Sequence, residues 1–148
     1  MVSKKELKLI ESMAIIIHSF IKIELSRSDF YTAIKSIAVC ISPFIEKSNI
    51  LRKDLDYKTL EKIAKKILSE DSQGKLVSSC VSISILLHIL LCIYNIDSYI
   101  VIGVCVNSGK TFSHAWVVSE KKEFNYRFDN FEYKEINRIN LKEVFIYD

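Results

Sequence analysis

Residues 79–106 read SCVSISILLHILLCIYNIDSYIVIGVCV, and the fold turns on whether this apolar run is one element or two. Asn95, Asp97 and Ser98 interrupt it, leaving pieces of about fifteen and about ten residues, short of the ~20 that a membrane-spanning helix needs. Stable membrane insertion is therefore not expected. From Ser79 to Ile93 the apolar residues leave almost no polar face, which predicts a helix in the middle of the fold. After the Asn95-Ile96-Asp97 turn, Tyr99 to Val106 is rich in Val and Ile and predicts a strand. The cluster Asn107-Ser108-Gly109-Lys110 turns the chain into a second, antiparallel strand, Thr111 to Ser119. Beyond the polar turn Glu120 to Glu123, Phe124, Tyr126 and Phe128 alternate with Asn125, Arg127 and Asp129, the period of a half-buried third strand.

Upstream, Lys5 to Leu25 carries Leu7, Ile10, Met13, Ala14, Ile17, Phe20 and Ile21 at helical spacing. Ser28 or Asp29 can cap a second helix through Ala33, Ile37 and Ile41, which Pro43 is expected to end or bend. After the polar stretch Glu46 to Asp56, Leu60, Ile63, Ala64, Ile67 and Leu68 form the cleanest helical stripe, followed by a loop from Ser69 to Lys75. The pattern predicts an α+β fold over residues 1–148 as a single domain, a helical half at 1–75 packed on a small antiparallel β-sheet within a second part at 76–148, the part that carries the candidate catalytic residues.

At 49% apolar and 26% charged, the chain can bury a sizeable core, which excludes a disordered or low-complexity protein. The net charge of +3 is spread in pairs such as Lys4-Lys5 and Lys121-Lys122, not gathered into a phosphate-binding stripe, so no nucleic-acid partner is expected. Cys40, Cys80, Cys92 and Cys105 form no CxxC pair and fit free thiols in a reducing cytoplasm. Glu6, Glu11 and His18 break the N-terminal apolar run, so a signal peptide is not expected. His88 and Cys92 have metal-ligand spacing, but no second pair completes a site, and the expectation is no metal and no cofactor.

Cys80 opens the buried helix, where partial positive charge and unpaired N–H groups favour the reactive thiolate and can stabilise an oxyanion. His114 on the second strand can take the thiol proton, and Asp129 on the third can orient the imidazole. A turn centred on Lys121-Lys122 pairs Glu120 with Glu123, Val118 with Asn125, Trp116 with Arg127 and His114 with Asp129. A register slip changes the facing acid, so Asn125 is the alternative orienting residue. Trp116 alternates with His114 and either walls the site or fills core, and Ser79 either contacts substrate or caps the helix.

The run Cys80-Val81-Ser82, the turn at Ile96, Val101-Ile102-Gly103-Val104 and His114-Ala115-Trp116-Val117 together resemble the transglutaminase-like cysteine protease of lasso peptide biosynthesis. The resemblance covers Ser79 to Asp129 and implies a transglutaminase-like, papain-like fold with Cys80 as nucleophile and His114 as base. It implies a stand-alone leader peptidase acting on a ribosomally made precursor peptide, with a leader-recognition protein and a lasso cyclase as partners. In that family the aspartate comes sooner after the histidine, near Asn125-Tyr126, so Asp129 requires a longer turn. Two alternatives stay open: acyl transfer to an amine, and a non-catalytic peptide-binding scaffold of the same fold.

Overall fold

A computed structural model describes residues 3–48, 56–71, 80–120, 122–126 and 130–144. The element order is α1 (Lys4–Arg27), α2 (Phe30–Ser48), α3 (Tyr57–Asp71), α4 (Cys80–Ile93), β1 (Ser98–Asn107), β2 (Lys110–Ser119), β3 (Glu123–Phe124) and β4 (Lys134–Ile139). α4 touches the other three helices and both central strands. Its side chains explain that position: Ile85, Leu86, Leu87, Ile89, Leu90 and Leu91 are all fully buried. Burying each contributes roughly 1.5–3 kcal/mol, and a sequence apolar on every side can do so only with neighbours all round.

The amphipathic helices begin where side chains answer their first N–H groups. Ser3 accepts from the Glu6 N–H at the start of α1, and Asp29 Oδ1 accepts from the Thr32 N–H at the start of α2. Pro43 does not end α2, which runs on to Ser48. The ring removes the hydrogen bond to the carbonyl of Val39, a residue on the solvent-facing side of the helix where water can replace it. α3 likewise continues to Asp71, through part of the stretch expected as a loop. α4 ends with Asn95 in the left-handed region, while the Ile96 N–H donates to the Leu91 carbonyl and the Asn95 N–H to the Cys92 carbonyl. This double closure satisfies carbonyls that a helix end leaves open.

The sheet has the order β3-β2-β1-β4. β1 and β2 pair without interruption from Ser98 opposite Ser119 to Asn107 opposite Lys110. Ser108 and Gly109, both at positive φ, make the two-residue turn whose twist suits a hairpin. Two features depart from the expected three-strand meander. The third strand is only two residues long, pairing Val118 with Glu123 and Val117 with Phe124. That register is two residues away from the expected Val118–Asn125 pairing, because the turn comes one residue earlier: the Ser119 N–H bonds the Lys122 carbonyl, and Ser119 Oγ donates to it as well.

The other departure is β4, an additional strand along the free side of β1. Its register shifts between Ile102 and Gly103, so that Asn137 faces Ile102 while Glu135 faces Gly103 and Ile136 is the extra, exposed residue. Lys134 to Asn137 and Arg138 are all exposed and only Ile139 is buried, so no period-two alternation marks the strand.

Candidate active site

Paired residues of an antiparallel ladder share a face, so Gly103, Val101, His114 and Trp116 lie on one side of the β1–β2 hairpin and Ile100, Ala115 and Val117 on the other. The second set belongs to the apolar core with Phe124 and Ile139. Because β3 pairs only with Val117 and Val118, the outer edge of β2 at Ala115 is left to another element. The N-terminus of α4 comes to it: Cys80, the first helical residue, lies beside Ala115 and the His114 side chain on the wall of one cavity.

Burial pushes the Cys80 thiol up, but the hydrogen bonds to His114, Ala115 and Val81, together with the charge on the imidazole, outweigh it and hold the thiol below its ordinary value. Cys80 is only partly buried and lines a cavity. His114 is 7% exposed, and its Nε2 lies 2.6 Å from Asn125 Oδ1. Asn125 Nδ2 in turn donates to Glu123 Oε1 at 3.3 Å. Since the Glu123 carboxylate only accepts, it fixes which way the Asn125 amide points. Oδ1 therefore faces the ring, Nε2 carries the hydrogen, and Nδ1 is the basic nitrogen.

The imidazole is also held by rings. Trp116 stacks on it at 5.9 Å between centroids and 23° between planes, and Tyr133 packs against it at 5.1 Å. Gly103, opposite His114 in the ladder, makes this stacking possible: a Cβ there would lie 2.7 Å from Trp116 Cη2 and 3.0 Å from Tyr133 Cβ. Gly103→Ala is expected to cost ~1–3 kcal/mol in denaturant unfolding and to shift the fluorescence of the single tryptophan, Trp116, as the ring is driven off. An unchanged midpoint and spectrum would mean that the indole yields without strain.

Cys80 and His114 open into a cavity of about 280 Å³ whose walls include Leu68, Ile83, Phe112, Tyr126 and Tyr133. Of the residues singled out in the sequence, Cys80, His114, Asn125 and Trp116 come together here. Asp129 and Ser79 lie outside the described residues. Tyr133, Glu123 and Tyr126 are additions that sequence reasoning missed. Only Gly103 left a trace, as a residue without a side chain inside an otherwise Val/Ile-rich strand.

The other two histidines are structural. His18 Nε2 bonds Ser82 Oγ at 3.0 Å between α1 and α4, and His88 bonds Ser98 and the Leu141 N–H in the core. Among the described residues no group of three His, Cys, Asp or Glu side chains could hold a metal ion, and no helix is long and apolar enough to cross a membrane.

A helix-borne thiol meeting a strand-borne imidazole, itself oriented by a side chain from the next segment, is an arrangement for covalent acyl chemistry. No curated protein and no solved structure matches the chain. A family model described as the transglutaminase-like superfamily matches residues 51–135, more than half of the sequence and the whole of this constellation. With its four helices, four-stranded antiparallel sheet and this match, the chain belongs to the transglutaminase-like superfamily.

Proposed function

We propose that the protein is a cysteine peptidase that removes the leader from a ribosomally made lasso peptide precursor in the cytoplasm, acting with a leader-recognition protein and a cyclase. The observation that carries the peptidase reading is the connected set Cys80–His114–Asn125, with the thiol held below its ordinary value at a helix N-terminus. Leader removal is supported by the likeness of Cys80-Val81-Ser82, Gly103 and His114-Ala115-Trp116-Val117, in that order and spacing, to the lasso leader peptidases.

In this reading His114 Nδ1 takes the Cys80 proton, and the sulfur adds to the carbonyl carbon of the scissile peptide bond. N–H groups at the start of α4 receive the developing oxyanion. The imidazolium then gives its proton to the leaving amine, which departs as the freed core peptide and leaves the leader as a thioester on Cys80. Water, deprotonated by the same imidazole, attacks the thioester and releases a carboxylate and the thiol. Asn125 keeps Nε2 engaged throughout, so the ring does not turn away from the sulfur.

The test is intact-mass analysis of precursor peptide incubated with the protein and the leader-recognition protein. The expected products are core and leader whose masses sum to the precursor plus one water. A product carrying an added amine instead would identify an acyltransferase, and complex formation with no product would identify a scaffold. Asn125→Ala is expected to lower turnover about 10²-fold through a misdirected imidazole, whereas Asp129→Asn leaves it within about twofold. The reverse pattern would assign the orienting role to Asp129.

A further inference from the structure

The outward face of α1 carries a pattern that neither the core nor the Cys80 cavity uses. Leu9, Ile16 and Ile23 recur every seven residues and are 69%, 70% and 48% exposed. Exposed Ser12, Ser19 and Ser26 follow each of them by three, so the six positions form one stripe opposite the buried Ile10, Ala14 and Ile21. The serines add little polarity, because Ser19 Oγ donates to the Ile15 carbonyl at 2.9 Å and Ser26 Oγ to the Ile23 carbonyl at 2.8 Å, both within the helix. Large apolar side chains thus alternate with shallow gaps along about 27 Å of helix. An exposed apolar band marks a contact surface, and a seven-residue spacing matches the knobs and holes of a second helix. Charge narrows the kind of helix. Every charged residue exposed on α1 is basic: Lys4, Lys5 and Lys8 at one end, and at the other Arg27, which also meets Glu24 at 3.8 Å. The three glutamates of α1 turn inward: Glu24 is buried, Glu11 is half-buried and paired with Lys66 of α3, and Glu6 is half-buried. A second copy of this chain would set basic ends against basic ends in either orientation, which is repulsive.

We propose that this face binds an amphipathic α-helix of another protein, one whose large apolar residues at heptad spacing fill the serine gaps and whose Asp or Glu side chains flank them. The docked helix would lie behind the catalytic one: on the inner side of α1, His18 Nε2 bonds Ser82 Oγ at 3.0 Å, two residues from Cys80. The surface does not depend on which acyl reaction Cys80 performs.

The probe is a fluorescein-labelled peptide of three heptads (abcdefg) with Leu at a and d, Glu at e and g and Ala elsewhere; its twin carries Lys in place of Glu. In fluorescence anisotropy at low ionic strength the Glu peptide is expected to bind at least about tenfold more tightly than the Lys peptide, and added salt to shrink the difference. Ile16→Glu, at the exposed middle of the stripe, is expected to weaken Glu-peptide binding at least about tenfold while the urea midpoint stays at the wild-type value. Lys5→Glu combined with Lys8→Glu is expected to erase the preference between the peptides. Equal binding of both peptides by the wild type, binding of neither, or binding that Ile16→Glu leaves unchanged overturns the proposal. Co-sedimentation with phosphatidylglycerol vesicles in place of peptide binding also overturns it and assigns the face to a membrane. A dimer that Ile16→Glu dissolves overturns it in favour of a second copy.

Discussion

Cys80→Ala is expected to abolish leader removal, a loss of at least ~10³-fold, while the protein keeps its fold. The size follows from the chemistry: without the sulfur no thioester forms, and His114 and Asn125 have no nucleophile to serve, so what remains is whatever binding and oxyanion contacts contribute alone. The stability expectation follows from position. Cys80 is the partly exposed first residue of α4, and truncating it to alanine removes one sulfur atom from a cavity wall and leaves the buried Ile83–Leu91 face untouched. A change within about 1 kcal/mol in denaturant unfolding is expected. Intact mass after overnight incubation reads the first outcome and a urea titration the second. Leader removal at wild-type rate by a folded Cys80→Ala protein would end the cysteine peptidase reading.

The second large effect concerns stability in acid and originates at His88. This ring is fully buried; its Nδ1 is 2.8 Å from Ser98 Oγ, and its Nε2 accepts the Leu141 N–H at 3.0 Å, tying α4 to the start of β1 and to the segment after β4. The accepting nitrogen fixes the tautomer, with the hydrogen on Nδ1 directed at Ser98. Protonation would place a second hydrogen at Nε2, against a backbone donor and out of reach of water. Burial, with a smaller contribution from nearby Lys142, accordingly pushes His88 down to about 4. The unfolded chain titrates near 6.5, so between those values it binds a proton that the native state refuses. Stability from this group is complete above pH 6.5 and is lost as pH falls toward 4, by about 3 kcal/mol in all. Urea midpoints measured at half-unit steps from pH 7 to 4 give the slope. His88→Gln, whose amide also donates at one atom and accepts at the other, is expected to flatten it. An equal acid loss in that variant would transfer the effect to the carboxylates.

The recognisable part of the site was local. Cys80 at the opening of a mostly apolar helix, the two-residue turn at Ser108-Gly109 and the Val/Ile-rich strand before it are each decided by neighbours in the chain, and the β1–β2 register follows from the turn alone. His114 and Trp116 sharing a face follows from the period of a strand. The orienting group was less accessible for a definite reason. The facing parity of Asn125 and Asp129 is the same, so alternation does not distinguish them; what brought Asn125 to His114 is where the chain turns after Val118.

Local chemistry along the chain thus accounts for most element types, the central helix and a thiol and an imidazole in a superfamily order. Three things come from folding alone: Asn125 bonds His114, Gly103 admits the Trp116 ring, and a bulged β4 lines the far side of the sheet. The physical reason is common to all three. Each depends on a contact between residues brought together by sheet register, and a shift of one or two residues changes every such contact while leaving local propensity and hydrophobic period unaltered.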